Sequence, residues 1–207
     1  MRKHFRISLG CFKGFTLTEL VIACSITIFF MAAFISAFIG MRNGMYAQDS
    51  LFSSNRSAYF AMNQLSKDTR EAITIVNTYS GNTTANAVLI LALPSVNASN
   101  VPIDTTLASS TYYDYVVYKL SGTDLVRSVT LGTSSQRNGA SSVSNRKVAA
   151  NVTTFSLTNS SGTGFTSLSA AAQAALKIFK VSITSGETIG GQTRSITANE
   201  DMMLYNK

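Results

Sequence analysis

Imidazole and thiol groups are nearly missing from this sequence. Among 207 residues the one histidine is His4 and the two cysteines are Cys11 and Cys24. Everything after residue 24 therefore lacks an imidazole to act as general base or triad partner, and lacks the usual zinc ligands. An intrachain disulfide is excluded there too, so a domain in that part must be held by packing. What remains open is Ser–Lys chemistry, paired carboxylates or oxygen-ligated calcium. None has a supporting motif. Asp104, Asp114, Asp124, Glu187, Glu200 and Asp201 are dispersed, and neither an Asp-x-Asp-x-Asp loop nor a glycine-rich phosphate loop occurs. The sequence predicts no enzyme, no metal and no cofactor.

Charge is missing from one long window. Between Glu19 and Arg42 there is no charged residue, so Leu20 to Met41 forms an apolar run of 22 residues. As a helix that is roughly 33 Å, enough to cross a hydrocarbon core. The first 14 residues hold Arg2, Lys3, Arg6 and Lys13 and no acid. Positive residues beside a membrane helix stay in the cytoplasm, which puts the rest of the chain across the membrane. Those four also account for much of the basic balance: 13 of the 17 lysines and arginines remain after them, against ten acids.

Glu19 at the edge of that run needs an explanation, because an ionised carboxylate beside hydrocarbon is costly unless a partner neutralises it. A secretory signal would have a shorter apolar core and a small-residue cleavage site, and a plain membrane anchor leaves Glu19 unexplained. The stretch Gly14-Phe15-Thr16-Leu17-Thr18-Glu19, with its basic leader and apolar helix, resembles the type IV pilin and type II secretion pseudopilin family. Thr18 falls at that signature's tolerant position. The resemblance implies cleavage after Gly14 by a prepilin peptidase, N-methylation of Phe15, and pairing of Glu19 with the Phe15 amine of a neighbouring subunit. A desolvated carboxylate paired in this way sets the axial register between helices.

Beyond Arg42 the helical pattern continues. Ala58, Met62, Leu65, Thr69 and Ala72 are spaced by four and three, with Arg56, Lys67, Asp68 and Glu71 mostly off that stripe. Lys67 and Glu71 form a four-residue pair, and Asp68, Arg70 and Glu71 read equally well as a solvated face. Gly40 and Gly44 are expected bending points. A Ser, Thr, Asn and Gly-rich stretch over 77–86 then leads into six predicted strands: 87–93, 112–120, 124–131, 147–157, 176–184 and 192–204. Ser121-Gly122-Thr123 is a hairpin turn. The segments 132–145 and 159–166 read as flexible linkers, and the Ala-rich 168–176 as either a short helix or a loop.

Three further stretches are similar to J-type pseudopilins and W-type minor pilins. They are 62–72, the tyrosine strand 116–120 turning into Leu125-Val126-Arg127, and the ending Met203-Leu204-Tyr205-Asn206, where Tyr205 stands in the usual place of arginine. This subfamily likeness implies a place in the tip or initiation complex.

Together these readings give an α+β fold: a long N-terminal helix, half transmembrane and half amphipathic, packed on an antiparallel β-sheet domain. The expected divisions are a leader over 1–14, a transmembrane assembly helix over 15–41, an amphipathic extension over 42–76 and an exported β-rich domain over 77–207. The site residues are Gly14 and Phe15 for processing, Phe15 for N-methylation and Glu19 for assembly. The expected function is that of a structural minor pilin or pseudopilin, single-pass in the inner membrane, with a shaft-forming major pilin or an adhesive or DNA-binding subunit as alternatives. The partners are related pilins, the prepilin peptidase, an inner-membrane assembly platform and membrane lipid. Nucleic acid is not expected, since Arg137, Arg146 and Lys147 are only three charges without interleaved aromatics.

Overall fold

The computed structural model describes residues 14, 16–103, 112–137, 142–189 and 192–204. His4, Cys11, Phe15, Asp104 and Tyr205 lie outside the described residues. The chain divides into two compact units, residues 1–46 and 47–207, taken in turn below.

In the first unit the backbone is helical from Leu17 onward, the start of α1 (Leu17–Glu71). Its apolar side chains from Leu20 to Met45 stand exposed. Among the described residues α1 is the helix long and apolar enough to cross a membrane. The polar side chains within the charge-free window are internally satisfied: the Ser25 and Thr27 hydroxyls donate to the Val21 and Ala23 carbonyls, each at 2.8 Å. Where the window ends, the Arg42 guanidinium donates to the Tyr46 hydroxyl at 3.3 Å and sits 5.3 Å from the ring centroid. An arginine and a tyrosine one turn apart are the residue types that anchor a span at a membrane–water boundary. Gly40 and Gly44 both lie inside the unbroken helix.

In the second unit the later turns of α1 pack against antiparallel sheet, giving an α+β architecture. The stripe read from spacing is the buried face: Ala58, Met62, Leu65 and Thr69 are all inside, with Ala72 just past the helix end. Ala61 and Asp68 widen it. The helix stops at Glu71, short of the expected 76, because Ile73-Thr74-Ile75-Val76 is four β-branched residues in succession, stiff at χ1 and better placed on a pleated surface. Those residues form β1 (Thr74–Ile75), which pairs with Ala92 and Leu91.

A two-residue ribbon follows, β2 (Thr78–Tyr79) with β3 (Asn82–Thr83). Next come β4 (Val88–Pro94), β5 (Tyr113–Ser121) and β6 (Asp124–Thr130), each within a residue or so of its predicted range. With β7 (Val143–Ala149) they make a five-stranded antiparallel sheet in the order β1-β4-β5-β6-β7. The β5–β6 hairpin closes at Gly122-Thr123, where Gly122 takes a φ of 63° that a side chain would oppose.

The single strand expected over 147–157 is two strands in two sheets. β7 ends at Ala149, Asn151 turns the chain with a φ of 55°, and β8 (Val152–Asn159) joins a three-stranded sheet in the order β10-β9-β8. Asparagine tolerates that left-handed conformation better than its neighbours would, which makes Asn151 the breaking point. The other two strands, β9 (Ile178–Ile189) and β10 (Gln192–Met203), pair over all twelve residues. β9 thus runs five residues past its predicted end, through Ser185-Gly186, which reads locally as a turn.

The predicted linkers are also ordered in part. Asn159 accepts from the Ser161 and Thr163 amides at 3.0 and 2.8 Å, closing a tight turn. In 132–145, the segment up to Arg137 is held by ion pairs and Val143 already belongs to β7. The Ala-rich stretch is a short helix, α2 (Ala170–Ala175), capped by the Ser169 hydroxyl accepting from the Ala172 amide. One apolar cluster joins the helix stripe to both larger sheets, with Leu65, Leu89, Tyr118, Leu157, Phe165 and Phe179 fully buried. The Phe165 and Phe179 rings meet edge to face at 5.7 Å.

Candidate functional site

The first candidate is the mouth of α1. Gly14 is exposed, with open space where a Cβ would stand. Thr16 precedes the first helical residue, and Glu19 follows three positions later. The Glu19 Oε2 accepts from the Thr16 amide at 3.0 Å and from the Thr16 hydroxyl at 2.9 Å, while the Glu19 amide donates back to the Thr16 hydroxyl at 3.3 Å. This is a capping box, and the signal for it in the sequence is Thr-x-x-Glu just before the apolar run. Glu19 therefore has a role within its own chain: it satisfies helix-end amides and complements the positive end of the helix dipole. Among the described residues its Oε1 has no hydrogen-bond partner, so one oxygen stays open to an outside donor.

The second candidate lies in the β-rich unit. Asp68, expected on a solvated face, is buried and accepts four hydrogen bonds. Arg127 binds it through two nitrogens, at 2.6 and 2.9 Å, the Tyr118 hydroxyl donates at 2.5 Å and the Gln64 amide at 3.2 Å. The sheet register brings this about, since Tyr118 and Arg127 are direct partners across the β5–β6 hairpin. A fork-on-carboxylate geometry of this kind is the strong form of an ion pair.

A similar centre forms around Asp114, which is buried at the start of β5. It accepts from the Gly132 amide at 2.9 Å, the Ser95 and Ser135 hydroxyls at 3.3 and 3.0 Å, and the Arg137 Nε at 3.0 Å. Arg137 also reaches Glu71 at 2.7 Å and the Pro94 carbonyl at 3.1 Å. Glu71 and Arg137 thus belong to one network, and of the three cations weighed for phosphate contact Arg137 and Lys147 are ion-paired while Arg146 stands exposed on β7. Lys147 pairs with Asp124 at 3.0 Å on the exposed side of β7, a contact of small energetic weight.

The Asp68 network holds no serine or cysteine, and in the Asp114 network the Ser95 and Ser135 hydroxyls both donate to a carboxylate that an arginine also binds. Among the described residues no group of three or more His, Cys, Asp or Glu side chains is placed to hold a metal. Each of the two buried carboxylates accepts four hydrogen bonds, an arrangement that holds the helix to the sheet.

No protein-family model matches the chain, and no curated protein matches it at a significant level.

The Tyr118 network carries a pH signature. Burial, reinforced by the Asp68 carboxylate, pushes the Tyr118 phenol well above its ordinary value. For Arg127 burial acts downward, but the hydrogen bonds and charge of Asp68 outweigh it and hold the guanidinium above its usual value. A phenol with a raised folded-state pKa contributes stability that is complete below its unfolded value of about 10 and is lost as pH climbs above it. In an absorbance titration Tyr118 is therefore expected to ionise only together with unfolding of the β-rich unit, and Tyr118→Phe to flatten the alkaline loss of stability. All tyrosines titrating reversibly with one midpoint near 10 in the folded protein would refute this.

Proposed function

We propose that the chain is a structural minor pilin or pseudopilin, held in the inner membrane by the first part of α1, cut after Gly14 and assembled with related subunits into a filament. It serves in the tip or initiation complex of a type IV pilus or type II secretion pseudopilus. One observation carries this reading: a glycine, phenylalanine and glutamate at Gly14, Phe15 and Glu19 open a helix whose next 22 residues bear no charge and whose later turns carry a β-rich unit. Glu19 is supported in its role by the geometry of its carboxylate, one oxygen held by the cap and the other without a partner among the described residues. An ammonium from a second chain is a partner of the right charge for that oxygen.

The Arg42–Tyr46 pair and the exposed apolar helix support storage in a bilayer before assembly. The two networks of the β-rich unit tie the end of α1 to the sheet, which supports a structural role. The test is the mass of the native product when the full chain is made with and without a prepilin peptidase. The expected product with the enzyme begins at a methylated Phe15 and has 193 of the 207 residues. A chain that still begins at Met1 in the presence of the active peptidase would overturn the proposal.

A further inference from the structure

A cleft of about 220 Å³ opens between the last turns of α1 and strands β6 and β7, lined among others by Lys67, Asp68, Glu71, Arg127, Arg137 and Arg146. That volume is below the roughly 300–1,000 Å³ of sites for drug-sized ligands, and it suits a single side chain. With Asp114 in its wall, the cleft holds four cations and three carboxylates. The carboxylates are engaged: Asp68 and Asp114 each accept four hydrogen bonds, and Glu71 takes an Arg137 nitrogen. All three nitrogens of Arg137 are bound, to Asp114, Glu71 and the Pro94 carbonyl.

The cations are not matched in the same way. Lys67 and Arg146 are exposed and have no carboxylate partner among the described residues. Arg127 spends Nε and Nη2 on Asp68, leaving Nη1 without a partner among them. Among the described residues the cleft therefore offers more positively charged donors than its carboxylates are seen to hold. Beside it a smaller hollow shares Gln64, Arg127 and Arg146 and adds two apolar side chains, Val148 and Phe60, the latter 54% exposed.

We propose that this cleft takes an acidic side chain presented by a partner protein, with Lys67 and Arg146 closing on its carboxylate and an adjacent apolar residue of the partner resting on Phe60. The apolar shelf favours a peptide over a free inorganic anion, which would gain nothing from Phe60. The cleft shares no residue with the helix mouth, and the proposal does not depend on cleavage after Gly14.

The experiment uses the full chain in non-ionic detergent micelles and a fluorescent hexapeptide of alternating glutamate and leucine, with alternating lysine and leucine as the control peptide. Binding is read by anisotropy. The acidic peptide is expected to bind and to weaken as salt rises. Lys67→Gln with Arg146→Gln is expected to weaken it by about tenfold or more, as two charge-assisted hydrogen bonds are lost. A pair of equal charge elsewhere, Lys177→Gln with Lys180→Gln, is expected to leave affinity within about twofold, since neither residue lines the cleft or the hollow beside it. Phe60→Ala is expected to weaken binding without changing its salt dependence. Far-UV circular dichroism identical to the parent keeps the comparison free of misfolding. Three results would each overturn the proposal: no binding of the acidic peptide, equal loss in the control pair, or displacement by inorganic phosphate together with indifference to Phe60→Ala.

Discussion

Replacing Arg127 with alanine is expected to destabilise the β-rich unit by about 3–5 kcal/mol, the cost of leaving a buried carboxylate without its cation. Asp68 is 4% exposed and its arginine 17%, so solvent does little to screen the pair. The loss would be a large share of the 5–15 kcal/mol that keeps an ordinary domain folded. Replacing all three residues together, Asp68→Leu with Arg127→Met and Tyr118→Phe, removes every polar group of the triad and is expected to recover more than half of the loss, because only the half-buried Gln64 amide then lacks its partner. Urea unfolding of the full chain in micelles, followed by tyrosine fluorescence, measures both. A cost for Arg127→Ala within the ~0–1 kcal/mol of an exposed ion pair would mean that Asp68 is not held as described.

The second large effect concerns Glu19, where cap and charge can be separated. Glutamine at the third helical position still completes a capping box but carries no charge. Glu19→Gln is therefore expected to keep the helix start intact and to reduce incorporation into filaments nearly to background, as Glu19→Ala does, while both variants are still cleaved after Gly14. Immunoblots of sheared filaments against membrane fractions give the ratio. Normal incorporation of Glu19→Gln with failure of Glu19→Ala would assign Glu19 to capping alone and remove the proposed intersubunit pairing.

Much of this architecture was legible before any coordinates. The helix stripe from Ala58 to Ala72 follows from 3.6-residue periodicity, and β4, β5 and β6 from alternation between turn residues. The failures have local causes. The 147–157 run was broken by one asparagine whose left-handed backbone costs little, so apolar patterning continued across it. The end of α1 was misjudged because four β-branched residues follow the periodic stripe directly. Asp68 was the more instructive miss. It lies three residues after Leu65 on the buried face, and counting outward from the Gly122-Thr123 turn places Tyr118 opposite Arg127. What single-helix periodicity lacks is the neighbouring strand that turns a charged position into an interior one. The Thr16–Glu19 capping box is legible in the sequence as Thr-x-x-Glu ahead of an apolar run.

The Asp68–Arg127 contact joins residues 59 apart in sequence. At a ribosomal pace of about 5–20 residues per second, the carboxylate emerges roughly 3–12 s before its guanidinium. During that interval the apolar face of α1 has no β5–β6 hairpin to cover it, and the nascent segment is a target for holdase chaperones and proteases. Slowing translation between codons 72 and 127 should lengthen that vulnerable period and lower yield, even though the finished protein is unchanged.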